Sequence, residues 1–518
     1  MPLTPDQALA KAQKLYDELC NRRPALAQAD DYYRGKQPLR YASDKWREFH
    51  AARYEKFSDN WCAPVANSPQ ERLRVDGFSL DDNPDQSDAE KKLWRDWQIN
   101  NMETQSSQGF LSTLIGARSF VLVWGTPDDE PLATWERPDQ AIVGYDAERP
   151  GQRVAALKTW CDGDDEYATL YTADEVWKFE RQVLKQQTLP YGTGNTYGSG
   201  QYQNPKAATF FANTAGLIIP GVSGQTSWRL REVSPNPMPN PLGEVPMVEM
   251  PNRPMLGNAP LSEISGTIAM QDAINLLWAY LFTAADFASM PARVVMGQDP
   301  PMIPVLDNTG QQVGEKPVDM RKIAEDRILW LTGQNAKIGQ WEAAKLDVFT
   351  NVIESGVAHI AAQTRTPPHY LILGKGMVNV SADGMRAAET GLVQKVNEEQ
   401  LFLTPPVRDV FRLMALVRGD AKVADQCRTG TVKWKDAENR SEAMLVDALQ
   451  KLGALGFPFR FLAERYGLGP TEIERLMKLR EAEKSEDPLA QAVDLLGKQT
   501  GKPGQPPQKP AQTGAGAG

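Results

Sequence analysis

Over residues 4–30 apolar side chains return every three or four positions, at Leu9, Ala12, Tyr16 and Leu19. That period predicts a helix, interrupted at Pro24 because proline lacks the amide donor. A turn-rich lead-in, YYRGKQPLRYA, follows. Over residues 120–183 the pattern shortens to alternation and brief apolar runs: FVLVW, LATWE, AIVGY, VAALKTW, YATLYT and EVWKFE. These read as strands joined by turns. Residues 186–225 are Gly, Asn, Gln, Thr and Tyr with few charges, the composition of a mobile insertion. NPLGEVPMVEMPNRP reads as an extended return strand. The helical period then resumes at Ser262, a candidate N-cap with Glu263 beside the positive helix end, and runs to Ser289. Ile264, Ile268, Gln271, Asn275, Trp278 and Phe282 fall near one face, and Ala284, Ala285 and Ala288 permit close approach of a neighbour.

Residues 290–342 are strand and turn material rich in Pro and Gly, and a second long helix is expected over 343–366. The pattern therefore describes a small β-rich piece at the tip of a two-helix stalk. Pro367 and Pro368 end the second helix. The loop after it holds Gly374, Lys375, Gly376, Met377, Val378 and Asn379, with Lys375 as the one charge in residues 372–380. Ser381 opens the next helix, NVSADGMRAAETGLVQKVNEEQ and onward, with a kink expected at Pro405 and Pro406. Its small residues Ala382, Gly384, Ala387, Ala388 and Gly391 suit close helix packing at some cost in intrinsic helix stability. A separate helical unit is expected over 436–484. Residues 497–518 contain no aromatic or large aliphatic side chain, so the end of the chain from 485 reads as disordered. The fold class is α+β.

Charge narrows the functions available. Fifty-seven basic against sixty-six acidic residues give a net charge of −9, which excludes gripping nucleic acid by phosphate neutralisation over the whole surface. Cys20, Cys62, Cys161 and Cys427 have no short spacing, so neither a zinc site nor a disulfide framework is indicated. No signal peptide and no uninterrupted membrane span is evident, which reads as a soluble chain, intracellular at synthesis.

Candidate chemistry is sparse. The three histidines, His50, His359 and His369, form no HExxH, and GxSxG and CxxC are absent. LILGKGM lacks the first glycine and the Ser or Thr of a phosphate-binding loop. CDGDDEY, residues 161–167, has calcium-loop acidity without the ligand spacing and reads as a hairpin turn. No catalytic, cofactor or metal residue is assigned, and no enzymatic activity is expected. One rival signal is FLAERYGLGPTEIERLMKLRE, residues 461–481, which has the Ala463-to-Gly467 spacing of a DNA-binding helix-turn-helix. Thr471 and Glu474 offer its second helix a capping box, yet that helix leads with Glu472 and Glu474 where it would meet phosphates. A DNA-binding regulator is thus the alternative reading.

Several stretches, in order, resemble one family: DDYYRGKQPLRYAS, NWCAPVANSPQERLRVDGF, EVPMVEMPNRP leading to SEISGTIAMQDAINLLWAYLFTAADFASMPARVVMG, IAAQTRTPPHYLI, and NVSADGMRAAETGLVQKVNEEQ. The family is the portal, or head-to-tail connector, proteins of long-tailed double-stranded DNA bacteriophages. The resemblance covers about residues 30–415 and implies a portal-type fold. Residues 1–261 would be a mixed α/β wing, 262–289 and 343–366 the two stem helices, 290–342 the β-rich clip and 367–381 the tunnel loop. Residues 382–435 would be the long kinked helix and wing return, and 436–484 the crown. It implies a ring of twelve subunits at the capsid portal vertex, assembled in the host cytoplasm. The ring would conduct double-stranded DNA without sequence specificity during packaging and ejection. Its implied partners are the large terminase, the major capsid and scaffolding proteins and a head-completion adaptor, with no membrane. By position, residues 374–379 would face the DNA, and the small residues of the long helix and of 284–288 would pack between subunits.

Overall fold

The computed structural model describes residues 2–40, 57–80, 88–182, 227–257, 259–289, 293–296, 302–306, 311–317, 328–331, 337–340, 345–371, 382–438 and 442–486. The expected insertion lies outside the described residues, as does the expected disordered tail beyond Glu486, whereas Ser485 and Glu486 are the last residues of a helix. The chain forms two compact units, one ending at Ala437 and the other, apart from three residues near 84, beginning at Glu438.

In the first unit α1 (Pro5–Arg34) opens with the reciprocal cap its sequence offers: Thr4 Oγ1 accepts from the Gln7 amide and Gln7 Oε1 from the Thr4 amide. Pro24 was expected to interrupt it and does not. One internal hydrogen bond is lost there, but Ala8, Ala12, Leu15 and Leu19 are buried on one stripe, and the neighbouring Arg23 is tied to the sheet through Asp139 O and Thr159 Oγ1. The helix ends at Gly35, whose φ of 67° is the left-handed conformation that favours glycine.

After α2 (Cys62–Gln70), β1 (Val75–Ser79), α3 (Asp88–Ile99) and α4 (Met102–Gly116) come β2 (Arg118–Gly125), β3 (Pro131–Glu136), β4 (Ala141–Tyr145), β5 (Arg153–Asp162), β6 (Asp165–Tyr171) and β7 (Glu175–Gln182). These last six coincide with the six runs read from the sequence. Two short strands, β8 (Arg229–Leu230) and β9 (Met238–Pro239), and the return strand β10 (Met247–Pro251) complete the region. β10, β2 and β3 form one sheet in that order, while β4 to β8 form a second with β9 beside β7. The acidic CDGDDEY stretch is the β5–β6 hairpin: Asp162 lies opposite Asp165, with Gly163 at φ 62° between them. Among the described residues no cluster of His, Cys, Asp or Glu could hold a metal ion.

α5 (Ile268–Ser289) begins six residues after the expected cap. Residues 263–267 are in turns, Ser262 Oγ donates to the Leu114 carbonyl at 3.5 Å, and Glu263 is buried in an ion pair instead of flanking a helix end. Then come β11 (Arg293–Met296), β12 (Met302–Leu306), β13 (Gln312–Pro317), β14 (Ile328–Leu331) and β15 (Lys337–Gln340). β11 pairs in parallel with β14 and antiparallel with β15, and β12–β13 is a hairpin. α6 (Asp347–Thr364) packs on α5, where a Cβ added to Gly356 would lie 3.3 Å from Ile274.

Beyond the one-turn α7 (Pro368–Leu371), α8 (Ala382–Val417) is helical straight through Pro405 and Pro406. The Thr404 hydroxyl donates to the Gln400 carbonyl at 2.6 Å and accepts from Trp434 Nε1 at 2.9 Å. Beyond the prolines Val407, Val410, Phe411 and Met414 are fully buried, and Phe411 stacks on Phe78 and Trp97. α9 (Ala421–Cys427) and β16 (Thr431–Trp434) return the chain to β1.

The second unit contains α10 (Glu442–Ala454), α11 (Phe459–Tyr466) and α12 (Pro470–Glu486). Thr471, the expected cap, does not hold the N-cap position, because α12 starts at Pro470 and the Ile473 amide bonds to the Gly469 carbonyl at 3.0 Å. Proline's fixed φ suits the first helical position, which leaves Thr471 inside the helix.

Candidate channel loop and its anchorage

Gly374, Lys375, Gly376, Met377, Val378 and Asn379, the expected DNA-facing residues, lie outside the described residues. The two posts between which they run, Leu371 and the start of α8, are held in detail. On the first post Arg365 takes φ 54° and ends α6, and the Thr364 and Thr366 hydroxyls meet at 2.8 Å. Two prolines then turn the chain into α7, whose Leu371 is buried.

A single guanidinium links the two posts. Arg72, from just beyond α2, donates to Tyr370 Oη at 2.9 Å on α7 and to Glu389 Oε2 at 3.2 Å on α8. It also donates to the Ala437 carbonyl at 2.8 Å. Tyr370 Oη donates in turn to Glu389 at 3.3 Å, and His369 Nε2 stands 3.6 Å from the same carboxylate. The planar fork of arginine suits this branching, which a lysine point charge could not reproduce.

A second tie lies two turns further along α8. Lys395 is fully buried, and its ammonium donates to the Thr364 carbonyl at 3.0 Å and pairs with Glu263 at 2.5 Å. It therefore sits where α6 presents its unsatisfied carbonyls and negative dipole end. Arg253 approaches the other oxygen of Glu263 at 3.5 Å. One turn beyond Lys395, Glu399 is buried with neither carboxylate oxygen hydrogen-bonded. Burial, reinforced by the Glu263 charge, pushes its carboxyl up to about 8.

Of the residues expected at a subunit contact, Gly384, Ala387 and Ala388 are exposed on α8, as is Leu401 three turns later. Gly391 is half-buried against its own chain, where an added Cβ would lie 3.6 Å from Arg365 Cβ. Ala284, Ala285 and Ala288 are half-buried on α5, and Ala382 opens α8. The sequence pattern did not single out Arg72, Tyr370, Glu389, Lys395 or Glu399, and it gave Glu263 a helix-end role in place of the ion pair it makes. The legible signal was the placement of Lys395 and Glu399 among Leu392, Val396 and Leu403, charges set inside an apolar stripe.

The chain belongs to the phage portal protein family of the SPP1 Gp6-like type, whose family model matches residues 12–486. It is 26% identical over 449 residues to the portal protein of Mycobacterium phage D29, covering 83% of this chain and 79% of that one. It is 28% identical over 391 residues to the portal protein of Mycobacterium phage L5, covering 74% and 70%. Among solved structures, a chain from the neck of a native gene transfer agent particle aligns over 84% of this chain and 96% of its own, with TM-score 0.37 and 12% identity. The portal function and the place in the virion expected from the sequence stand on the family membership; the alternative of a DNA-binding regulator has no such support.

Proposed function

We propose that this chain assembles as a ring, of twelve copies, at the portal vertex and conducts double-stranded DNA without sequence specificity during packaging and ejection. The division into wing, stem, clip, tunnel loop and crown is part of the same reading. So are its partners: the large terminase and a head-completion adaptor docking at the clip, and the major capsid and scaffolding proteins. The role is structural and not enzymatic. What carries the reading is the anchorage: Lys395 ties the end of α6 to α8, and Arg72 ties α7 to α8, so the segment between Leu371 and Ala382 starts and ends on fixed posts. A loop that meets moving DNA needs such posts, and Lys375 gives it one cation in a chain of net charge −9. Contacts of single lysines with phosphates are weak and carry no sequence information, so they release as the duplex advances. Lys375→Glu is expected to lower packaging rate or packaged DNA length with rings intact by electron microscopy. Unchanged packaging in both respects would remove Lys375 from the channel.

A further inference from the structure

Away from the loop, a cavity of about 760 Å³ opens between the β4–β5 turn, the segment entering β10, and the part of α8 that follows its prolines. Val245, Val248, Pro405 and Pro406 form apolar parts of its wall, and four guanidinium groups line it: Arg153, Arg408, Arg412 and Arg428. Two of these are already neutralised. Arg412 forks onto Glu244 and reaches Asp409 at 2.6 Å, and Arg153 pairs with Asp409 at 2.7 Å. The hydrogen bond from Arg412 holds the Glu244 carboxyl below the ordinary range, so that acid is committed as an anion. The third carboxylate of the wall, Glu249, is occupied by Arg118 at 2.9 Å and by the Tyr145 hydroxyl at 3.0 Å.

Arg408 and Arg428 remain. Arg408 donates one Nη to the Arg428 carbonyl at 3.1 Å, while its Nε is buried with no acceptor, and among the described residues it makes no ion pair. Arg428 pairs only with Asp425, at 3.3 Å, with both side chains largely in water, where such a pair is worth little. Among the described residues neither guanidinium is ion-paired to a buried carboxylate, and the strongest partner for such a group is an anionic oxygen. Arginine's fork also matches the geometry of phosphate oxygens.

We propose that this cavity is an oxyanion-binding site, taking inorganic phosphate or a phosphate monoester on Arg408 and Arg428. The two sources share the phosphate oxygens and differ in whether the rest of the cavity is filled. The inference does not depend on the portal reading.

The test follows thermal unfolding of the full chain in a phosphate-free buffer during titration with inorganic phosphate or AMP, with sodium chloride at matched ionic strength as the control. Wild type is expected to be stabilised by phosphate and not by chloride. Arg408→Gln is expected to raise the half-saturating concentration about tenfold or more, the worth of one charge-assisted hydrogen bond. Equal potency of phosphate and AMP would make the oxyanion the whole determinant, whereas tighter AMP would assign the remaining volume to the ester's body. Identical titrations of wild type and Arg408→Gln, or an equal effect of chloride, overturn the proposal. Should Arg408→Gln not fold, Arg428→Gln decides, since that side chain is mostly in solvent: unaltered phosphate affinity in it rejects the site.

Discussion

Glu399 is a carboxylic acid placed where no donor meets it, and its proton takes the role of a partner. Its carboxyl is raised from the ordinary 4.5 to about 8, first by burial and then by the Glu263 charge. The folded chain therefore binds a proton that the unfolded chain has released. The resulting stability is fully present below pH 4.5 and is lost as pH rises through 8. Between pH 5 and pH 8 wild type is expected to lose melting temperature more steeply than Glu399→Gln, whose side chain is neutral throughout; parallel curves would place the carboxyl in contact with water. Lys395 makes the opposite case, a buried charge with all its roles filled. Lys395→Met leaves Glu263 with only Arg253 at its far oxygen and orphans the Thr364 carbonyl. A loss of about 3–5 kcal/mol in urea unfolding is expected. Adding Glu263→Gln should recover a large part of it, because the uncompensated charge is then gone.

Among the described glycines, the tightest approach is at Gly109, between α4 and β3. A Cβ on Gly109 would fall 1.9 Å from the Trp135 ring, which Ser119 holds through the indole N–H at 2.7 Å while Gln105 accepts from the Trp135 amide at 2.8 Å. The ring cannot swing aside without breaking the indole bond to Ser119. Gly109→Ala is expected to cost about 1–3 kcal/mol, with a matching fall in melting temperature. Element identity was legible from the chain: the alternating runs from Phe120 onward are strands, and the helices expected before and after the β-rich residues contain α5 and α6. Continuity was not. Pro24 reads locally as a break, and Pro405 and Pro406 as a kink in a helix that continues, since a helix-interior proline costs about 3 kcal/mol. Burial of apolar residues on either side outweighs that cost. The shift of the α5 start has a different origin. Ser262 and Glu263 are sound capping chemistry, but the partner that claims Glu263 is Lys395, far along the chain, and no local pattern shows it. The anchoring network was hidden for the same reason, because Arg72, Tyr370 and Glu389 come from three separate segments.

At the scale of the whole chain the units differ in how they keep apolar surface. The first contains large cores in which Trp97, Phe110, Phe120 and Phe411 are essentially inaccessible. The second exposes Met444, Leu455, Phe457, Tyr466 and Leu479. Since α12 ends at Glu486, truncation there should leave ring assembly intact when scored by electron microscopy; loss of rings would assign residues 487–518 a structural part. The β12–β13 hairpin is paired only with itself among the described residues. Deleting 305–316 is therefore expected to spare the far-ultraviolet circular dichroism of the remaining sheets while reducing DNA packaging.

The clasp formed by Arg72 has a practical meaning for protein engineering. Because one side chain on a separate segment secures α7 and α8, the posts take these hydrogen bonds from outside the span they bracket. A foreign sequence of equal length between Leu371 and Ala382, or one carrying a photoreactive or fluorescent residue at 375, therefore leaves every group of this clasp in the chain.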